Sequence, residues 1–138
     1  MHIEVYEHHA KYYETDQMGV IHHSNHIRWM EEARLYLLDK IGCGYKAMED
    51  AGIISPILSV ACEYKAMVHF DDIVCVEVKV KAYTGYKITL SYVLKDKITE
   101  TIDALAESKH GFMSKTGKFI SLEKDFPEWD RRIQSISG

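Results

Sequence analysis

Four valines at alternate positions, Val74, Val76, Val78 and Val80, interleaved with Cys75, Glu77, Lys79 and Lys81, mark a strand with one wholly apolar face. Such a face needs an apolar partner, and one helix in the chain can supply it. Met30, Ala33, Leu37 and Ile41 recur at steps of three or four, beside Trp29, Tyr36 and Lys40, so a helix from about Ile27 carries a single apolar stripe. Ser24 or Asn25 is placed to cap its first turn, and Gly42 to close its end. At 1.5 Å per residue it spans about 22–25 Å, enough to cross a sheet.

The remaining segments read mostly as strands. Residues 2–13 alternate loosely and give a first strand, broken by the turn residues of 16–19. Tyr45–Ala51 adds a helical turn or two before Gly52. Residues 57–70 form a strand ending at Asp71-Asp72. Ile88, Leu90, Tyr92 and Leu94 make the apolar face of another, after a turn at Tyr83-Thr84-Gly85. Residues 102–114 read as one long strand, and Lys115-Thr116-Gly117-Lys118 as a hairpin turn into 119–122. The tail after Pro127 reads as a short helix. Strands joined by short turns pair antiparallel, and a lone amphipathic helix needs a sheet to cover its stripe. The expected product is a single α+β domain over 1–138, a curved antiparallel sheet packed on one long central helix. The valine face meets the helix, and the other face meets solvent or a partner subunit.

Composition narrows the function. Seventeen basic against 21 acidic residues give a net charge of −4, which argues against a nucleic-acid partner. Cys43, Cys62 and Cys75 are widely spaced, form no Cys-x-x-Cys pair, and read as free thiols in a reducing compartment. The N-terminus has no signal-peptide pattern, and no stretch reaches the roughly 20 apolar residues of a membrane span. The cytoplasm is the expected location.

The segment Asp16-Gln17-Met18-Gly19-Val20-Ile21-His22-His23 carries the chemistry, because it puts a carboxylate just before the start of the long helix. First-turn N–H groups lack intrahelical partners and carry partial positive charge, so they favour an anion such as a developing oxyanion. A carboxylate beside them can act as base toward water or as a nucleophile. Spacing alone also fits an ordinary turn aspartate.

Asp16-x-x-Gly19-Val20-Ile21-His22-His23, followed by Trp29-Met30-Glu31-Glu32-Ala33-Arg34, resembles the signature of the 4-hydroxybenzoyl-CoA thioesterase family of hotdog proteins, in its YbgC-like acyl-CoA thioesterase branch. Glu63-Tyr64-Lys65-Ala66 and Asp71-Asp72 stand where that branch has a strand, a Tyr and an acidic turn, so the likeness runs from about Tyr6 to about Leu122. The resemblance implies an acyl-CoA thioesterase that needs no cofactor beyond the CoA of its substrate. It also implies a homodimer or homotetramer with active sites at the subunit interface. Asp16 matches the catalytic aspartate, and His23 the helix-start residue whose N–H polarises the thioester carbonyl. His22 matches the adjacent aromatic or His position, and Gly19 lets the backbone turn close to substrate. Glu31 and Arg34 match a helix segment read as a structural charge pair. The branch commonly has Pro-Ala-Arg before its acidic turn, where this chain has Met67-Val68-His69, and Lys87 stands where relatives often have Ser. The acyl group, and the choice of CoA or an acyl carrier protein, stay open.

Other constellations have plainer readings. His22, His23 and His26 stand at helix-compatible spacing for a metal, but no carboxylate or Cys joins them, and no metal site is expected. His8 and His9 point to opposite faces of a strand and read as surface histidines. CoA's phosphates call for basic groups, for which Lys87 and Lys79 are the candidates. Tyr12, Tyr13, Trp29 and Tyr36 read as core or interface, with one or two lining an acyl pocket. The rival functions are a hotdog hydratase or dehydratase and a non-catalytic acyl-CoA binding module. If Asp16 is not the carboxylate, Glu31 or Glu32 is next.

Overall fold

The computed structural model describes residues 2–138. Five strands form one antiparallel sheet: β1 (Glu4–His9), β3 (Ile57–Tyr64), β4 (Ile73–Tyr83), β5 (Lys87–Asp96) and β6 (Ile102–Gly111). Their spatial order is β1-β4-β5-β6-β3. Helix α1 (Ser24–Lys40) packs on the face that carries the four valines, none of which is more than 3% exposed. Ile88, Leu90, Tyr92 and Leu94 of β5 continue that buried face, and Trp29, Met30, Ala33 and Leu37 supply the helix side. The expected α+β hotdog architecture is therefore the one observed.

Helix α1 starts at Ser24, three residues before the expected start at about Ile27. His23, rather than Ser24 or Asn25, holds its N-cap position, and Gly42 closes it in the left-handed conformation (φ 75°). Helix α2 (Tyr45–Ala51) ends at Gly52, also left-handed. The tail forms α3 (Leu122–Asp125) and α4 (Pro127–Gln134), the latter with Pro127 in its first turn, where a missing N–H costs nothing.

Three strand expectations are corrected. The first strand stops at His9, where Ala10 N–H turns to Asp72 C=O, and residues 12–14 form a 3-10 turn that sends Glu14 inward. The strand expected over 57–70 stops at Tyr64, and it makes no hairpin with β4. Val68 enters the core instead, and Asp71, at φ 75°, reverses the chain. The link thus carries the chain from the outer edge at β3 to the far side of β5. The long strand expected over 102–114 breaks at the buried Phe112. β7 (Met113–Ser114) leaves the main sheet to pair with β2 (Ile53–Ile54). Gly111 permits the break, since a Cβ there would stand 2.9 Å from the Phe119 ring.

One buried carboxyl opposes folding at neutral pH. Asp103 is 4% exposed, and burial together with Asp96 and Asp72 pushes its pKa up to about 7 from an ordinary 3.8. Between those values the folded chain holds a proton that the unfolded chain releases, so its contribution to stability falls as pH rises from about 4 to about 7. Asp103→Asn is expected to gain on the order of 2 kcal/mol at pH 8 and nothing near pH 4, read by denaturant titration at both pH values.

Candidate active site

The loop before α1 is built by backbone bonds. Asp16 N–H donates to Val20 C=O (2.8 Å), and Gly19 N–H to Asp16 C=O (3.1 Å). Gly19 adopts φ 78°, a conformation a side chain would strain. Asp16 Oδ1 accepts Met18 N–H at 2.8 Å, a turn that fixes the carboxylate, while Oδ2 has no hydrogen bond among the described residues. Asp16 is half-buried. Val20 and Ile21 bridge to the β3–β4 link through Ile21 N–H to Val68 C=O (2.8 Å) and a Val20–His69 bridge.

The helix start leaves the His23 N–H open. His22 N–H goes to Glu14 C=O (2.8 Å), Ser24 N–H to His22 Nδ1 (3.2 Å) and Asn25 N–H to His22 C=O (3.0 Å). Among the described residues, His23 N–H has no acceptor. Tyr64 O–H, from the end of β3, donates to His23 C=O at 2.8 Å and ties the edge strand to the helix start. Burial, then Cys62, pushes the Tyr64 pKa up to about 12, so its hydroxyl stays protonated. The His22 ring caps the helix through Nδ1, which also bonds Ser24 Oγ at 2.8 Å, and it stacks on the His23 ring.

Behind the loop stands a buried carboxylate that sequence reasoning missed. Glu14 Oε1 accepts from Lys11 N–H (2.7 Å) and His8 Nε2 (2.9 Å), and Oε2 accepts the Trp29 indole N–H (2.8 Å). Glu14 C=O also takes the Asn25 side-chain amide (2.9 Å). Burial would raise its carboxyl; the His8, Lys11 and Trp29 bonds outweigh that and hold it below the ordinary 4.5. His8, expected at the surface, is thus buried, and its ring stacks on Trp29. Its other nitrogen lies 3.3 Å from Glu32. The available signal was an acidic residue in a turn two positions before Asp16; its partners lie too far off in sequence to be read locally.

Asp16, Gly19, His22 and His23 lie on one turn, closed by Asp16 N–H to Val20 C=O, the Thr15–Ile21 bridge and His22 N–H to Glu14 C=O. Lys79 and Lys87 do not join them within the chain. Lys79 is on the sheet face turned away from α1, and Lys87 opens β5 at the end opposite the Asp16 loop. At 3.3 Å per residue those ends are roughly 30 Å apart. The three histidines do not converge: His22 and His23 stack on each other, while His26 is buried between Trp29 and Tyr64. No cluster of metal-ligating side chains occurs among the described residues. Glu31 lies 3.7 Å from Arg34, whose closer partners are Tyr45 and Tyr92. No helix among the described residues is long and apolar enough to cross a membrane.

Residues 11–132 match the model of the thioesterase-like superfamily. The chain is 33% identical over 130 residues, 94% of each protein, to a protein of Bacillus subtilis (strain 168) carried under the provisional name acyl-CoA thioesterase YneP. Among solved structures, a DHNA-CoA thioesterase from Staphylococcus aureus is 30% identical, with a TM-score of 0.91 over 97% of this chain and 90% of that one. A 1,4-dihydroxy-2-naphthoyl-CoA thioesterase from Synechocystis shares the fold at 17% identity, with a TM-score of 0.88 over 98% of both chains. With the family match spanning the Asp16 loop, helix α1 and four of the five strands of the main sheet, the chain belongs to the thioesterase-like superfamily and is a hotdog thioester hydrolase.

Proposed function

We propose that the chain hydrolyses acyl-CoA thioesters at the start of α1, with Asp16 as the working carboxylate and His23 N–H as the oxyanion donor. The observation that carries this reading is the unpartnered His23 N–H at a helix start beside a half-buried carboxylate with one free oxygen. The thioester carbonyl oxygen accepts from His23 N–H, in the field of the α1 N-terminus. Water then attacks the carbonyl carbon while Asp16 takes its proton. The tetrahedral intermediate collapses, the C–S bond breaks, and the proton passes from Asp16 to the departing CoA sulfur. In the covalent variant Asp16 attacks first, expels the thiolate as an anhydride forms, and water cleaves that anhydride. Single turnover in heavy-oxygen water tests the covalent route: label in Asp16 means that an anhydride formed and was cleaved at the Asp16 carbonyl, which rules out simple base catalysis.

His22 serves this site as a cap for the helix start, and Gly19 by keeping the carboxylate loop tight. The acyl donor is a CoA thioester, or an acyl carrier protein with the same pantetheine arm. Lys87 and Lys79 stay the candidates for CoA's phosphates, reaching a site only from a second copy, because they stand away from Asp16 of their own chain. A second copy is favoured by the outer edge at β3, where Ile57, Leu58, Val60 and Tyr64 are exposed on a strand paired on one side only. An open apolar edge is an aggregation hazard unless it is covered. The assembly proposed is a homodimer joined along β3, with a homotetramer as its further association.

Thiol release with one free acid formed per CoA tests the reaction; loss of enoyl absorbance without thiol would favour a hydratase instead. Cys62→Pro, at a β3 position whose N–H faces the open edge and not β6, is expected to shift sedimentation from dimer to monomer and to lower thiol release at least tenfold.

A further inference from the structure

The side-chain and turn bonds that hold residues 22–25 come from nearby in the sequence, with one exception. His22 N–H and the Asn25 side-chain amide both go to Glu14 C=O (2.8 and 2.9 Å). Asn25 N–H goes to His22 C=O (3.0 Å) and Ser24 N–H to His22 Nδ1 (3.2 Å). The exception is Tyr64 O–H, which reaches His23 C=O (2.8 Å) from the end of β3, 41 residues away. That carbonyl belongs to the residue whose own N–H is open.

The two planar peptides that meet at the His23 Cα turn only through its φ and ψ, so fixing both planes fixes the direction of the N–H. Asn25 N–H holds the preceding plane at its carbonyl, and Tyr64 O–H holds the following one. Helix ends fray, and the His23 side chain makes no capping bond of its own. The outside hold therefore falls to Tyr64. Its ring, although 44% exposed, meets the buried His26 ring T-shaped at 4.8 Å and the His23 ring at 6.2 Å. A hydroxyl on a ring already packed this way loses little side-chain freedom by keeping its bond. It stays protonated through the neutral range and so donates throughout. The same bond anchors the end of an edge strand paired only with β6, so a structural role has to be separated from one in turnover.

We infer that Tyr64 is a positioning residue for hydrolysis: its hydroxyl holds His23 so that the open N–H meets the oxyanion. The inference rests on the acyl-CoA reading above and deepens it. Tyr64 acts through His23 and not on the reacting atoms. The bond to the carbonyl oxygen strengthens as that oxygen gains charge, so a displaced N–H costs more in the transition state than in the substrate complex. The loss falls on kcat and leaves KM.

The test is Tyr64→Phe, which keeps the ring contacts and deletes the hydroxyl. Thiol release from the best acyl-CoA of a panel gives kcat and KM, and calorimetry gives the affinity of its non-hydrolysable thioether analogue. Nitrogen-15 relaxation reads the order of the His23 amide in the free protein. The expected kcat falls at least about tenfold, with KM and analogue affinity within about twofold of wild type. The His23 order parameter is expected to fall from about 0.85 toward 0.6. That of Gly19, whose bond to Asp16 C=O is kept, is expected to stay. Sedimentation is unchanged, and Tm falls by no more than about 4 °C, the share of one hydrogen bond. A kcat within about twofold of wild type overturns the positioning role, as does a rate loss with His23 order unchanged. A weakened analogue affinity, or dissociation of the assembly, overturns it too and assigns Tyr64 to binding or to the edge strand. If wild type releases no thiol from any compound, hydrolysis is contradicted and His23 order alone decides. Its loss in Tyr64→Phe then sustains the hold on the N–H, and its retention overturns it.

Discussion

Asp16→Ala is expected to lower thiol release from CoA thioesters by about 10²–10⁴-fold, the usual contribution of a positioned general base, while the protein still folds and assembles. The loop around Asp16 is held by backbone bonds to Val20 and Gly19, which alanine keeps. What the replacement removes is the Oδ1 bond to Met18 N–H, about 1 kcal/mol of local order, together with the charge. Asp16→Asn separates those two losses, since an amide oxygen can still accept from Met18 while the base is gone. Equal rate losses in the two variants therefore assign the effect to the carboxylate's chemistry. A much milder loss in Asp16→Asn would make the turn, and not the base, the contribution of this residue. Activity that survives both would move the search to Glu31 or Glu32. Of these, Glu32 is already engaged with His8, and Glu31 lies near Arg34.

The second large effect is expected at Glu14. Glu14→Ala leaves the Trp29 indole, His8 Nε2 and Lys11 N–H without their acceptor behind the Asp16 loop. Breaking a buried, hydrogen-bonded charge in this way costs about 3–5 kcal/mol, enough to lower Tm by roughly 10 °C in a chain of this size. Because the Glu14 backbone carbonyl holds both His22 N–H and the Asn25 amide, the loss of order also reaches the helix start, and kcat is expected to fall with it. The pH dependence follows from the same bonds. The folded carboxyl titrates below the ordinary 4.5, so its stabilisation is fully present above that value and is lost as pH falls through the lower folded value. Wild type should therefore lose stability below about pH 4.5 by a component that Glu14→Gln lacks, measured by thermal melts from pH 3 to 7.

Much of this was legible in the chain. The valine alternation and the stripe of α1 are periodic signals, and periodicity survives folding because it sets which side is buried; both faces meet as expected. The turn before α1 was legible for the same local reason: Asp16, Gly19 and the helix start lie within eight residues, and turn chemistry fixes them. Strand order was not. Nothing near residues 65–72 encodes that β3 pairs with β6 across the sheet, because that choice is settled by Val68 entering the core and by the bridge to Val20. The same limit hid Glu14, whose role depends on His8 and Trp29 arriving from two other elements. It also hid the Tyr64 bond to His23, which joins β3 to the start of α1.

The central claim is turnover at the start of α1, and a progress curve of free CoA against enzyme tests it most directly. With catalytic amounts of protein and a panel of acyl-CoAs, at least one member should release thiol continuously, far beyond one equivalent per chain, at a rate proportional to enzyme. Saturable binding of the same compounds with no release beyond background would contradict the claim and identify an acyl-CoA binding module built on a hydrolase fold.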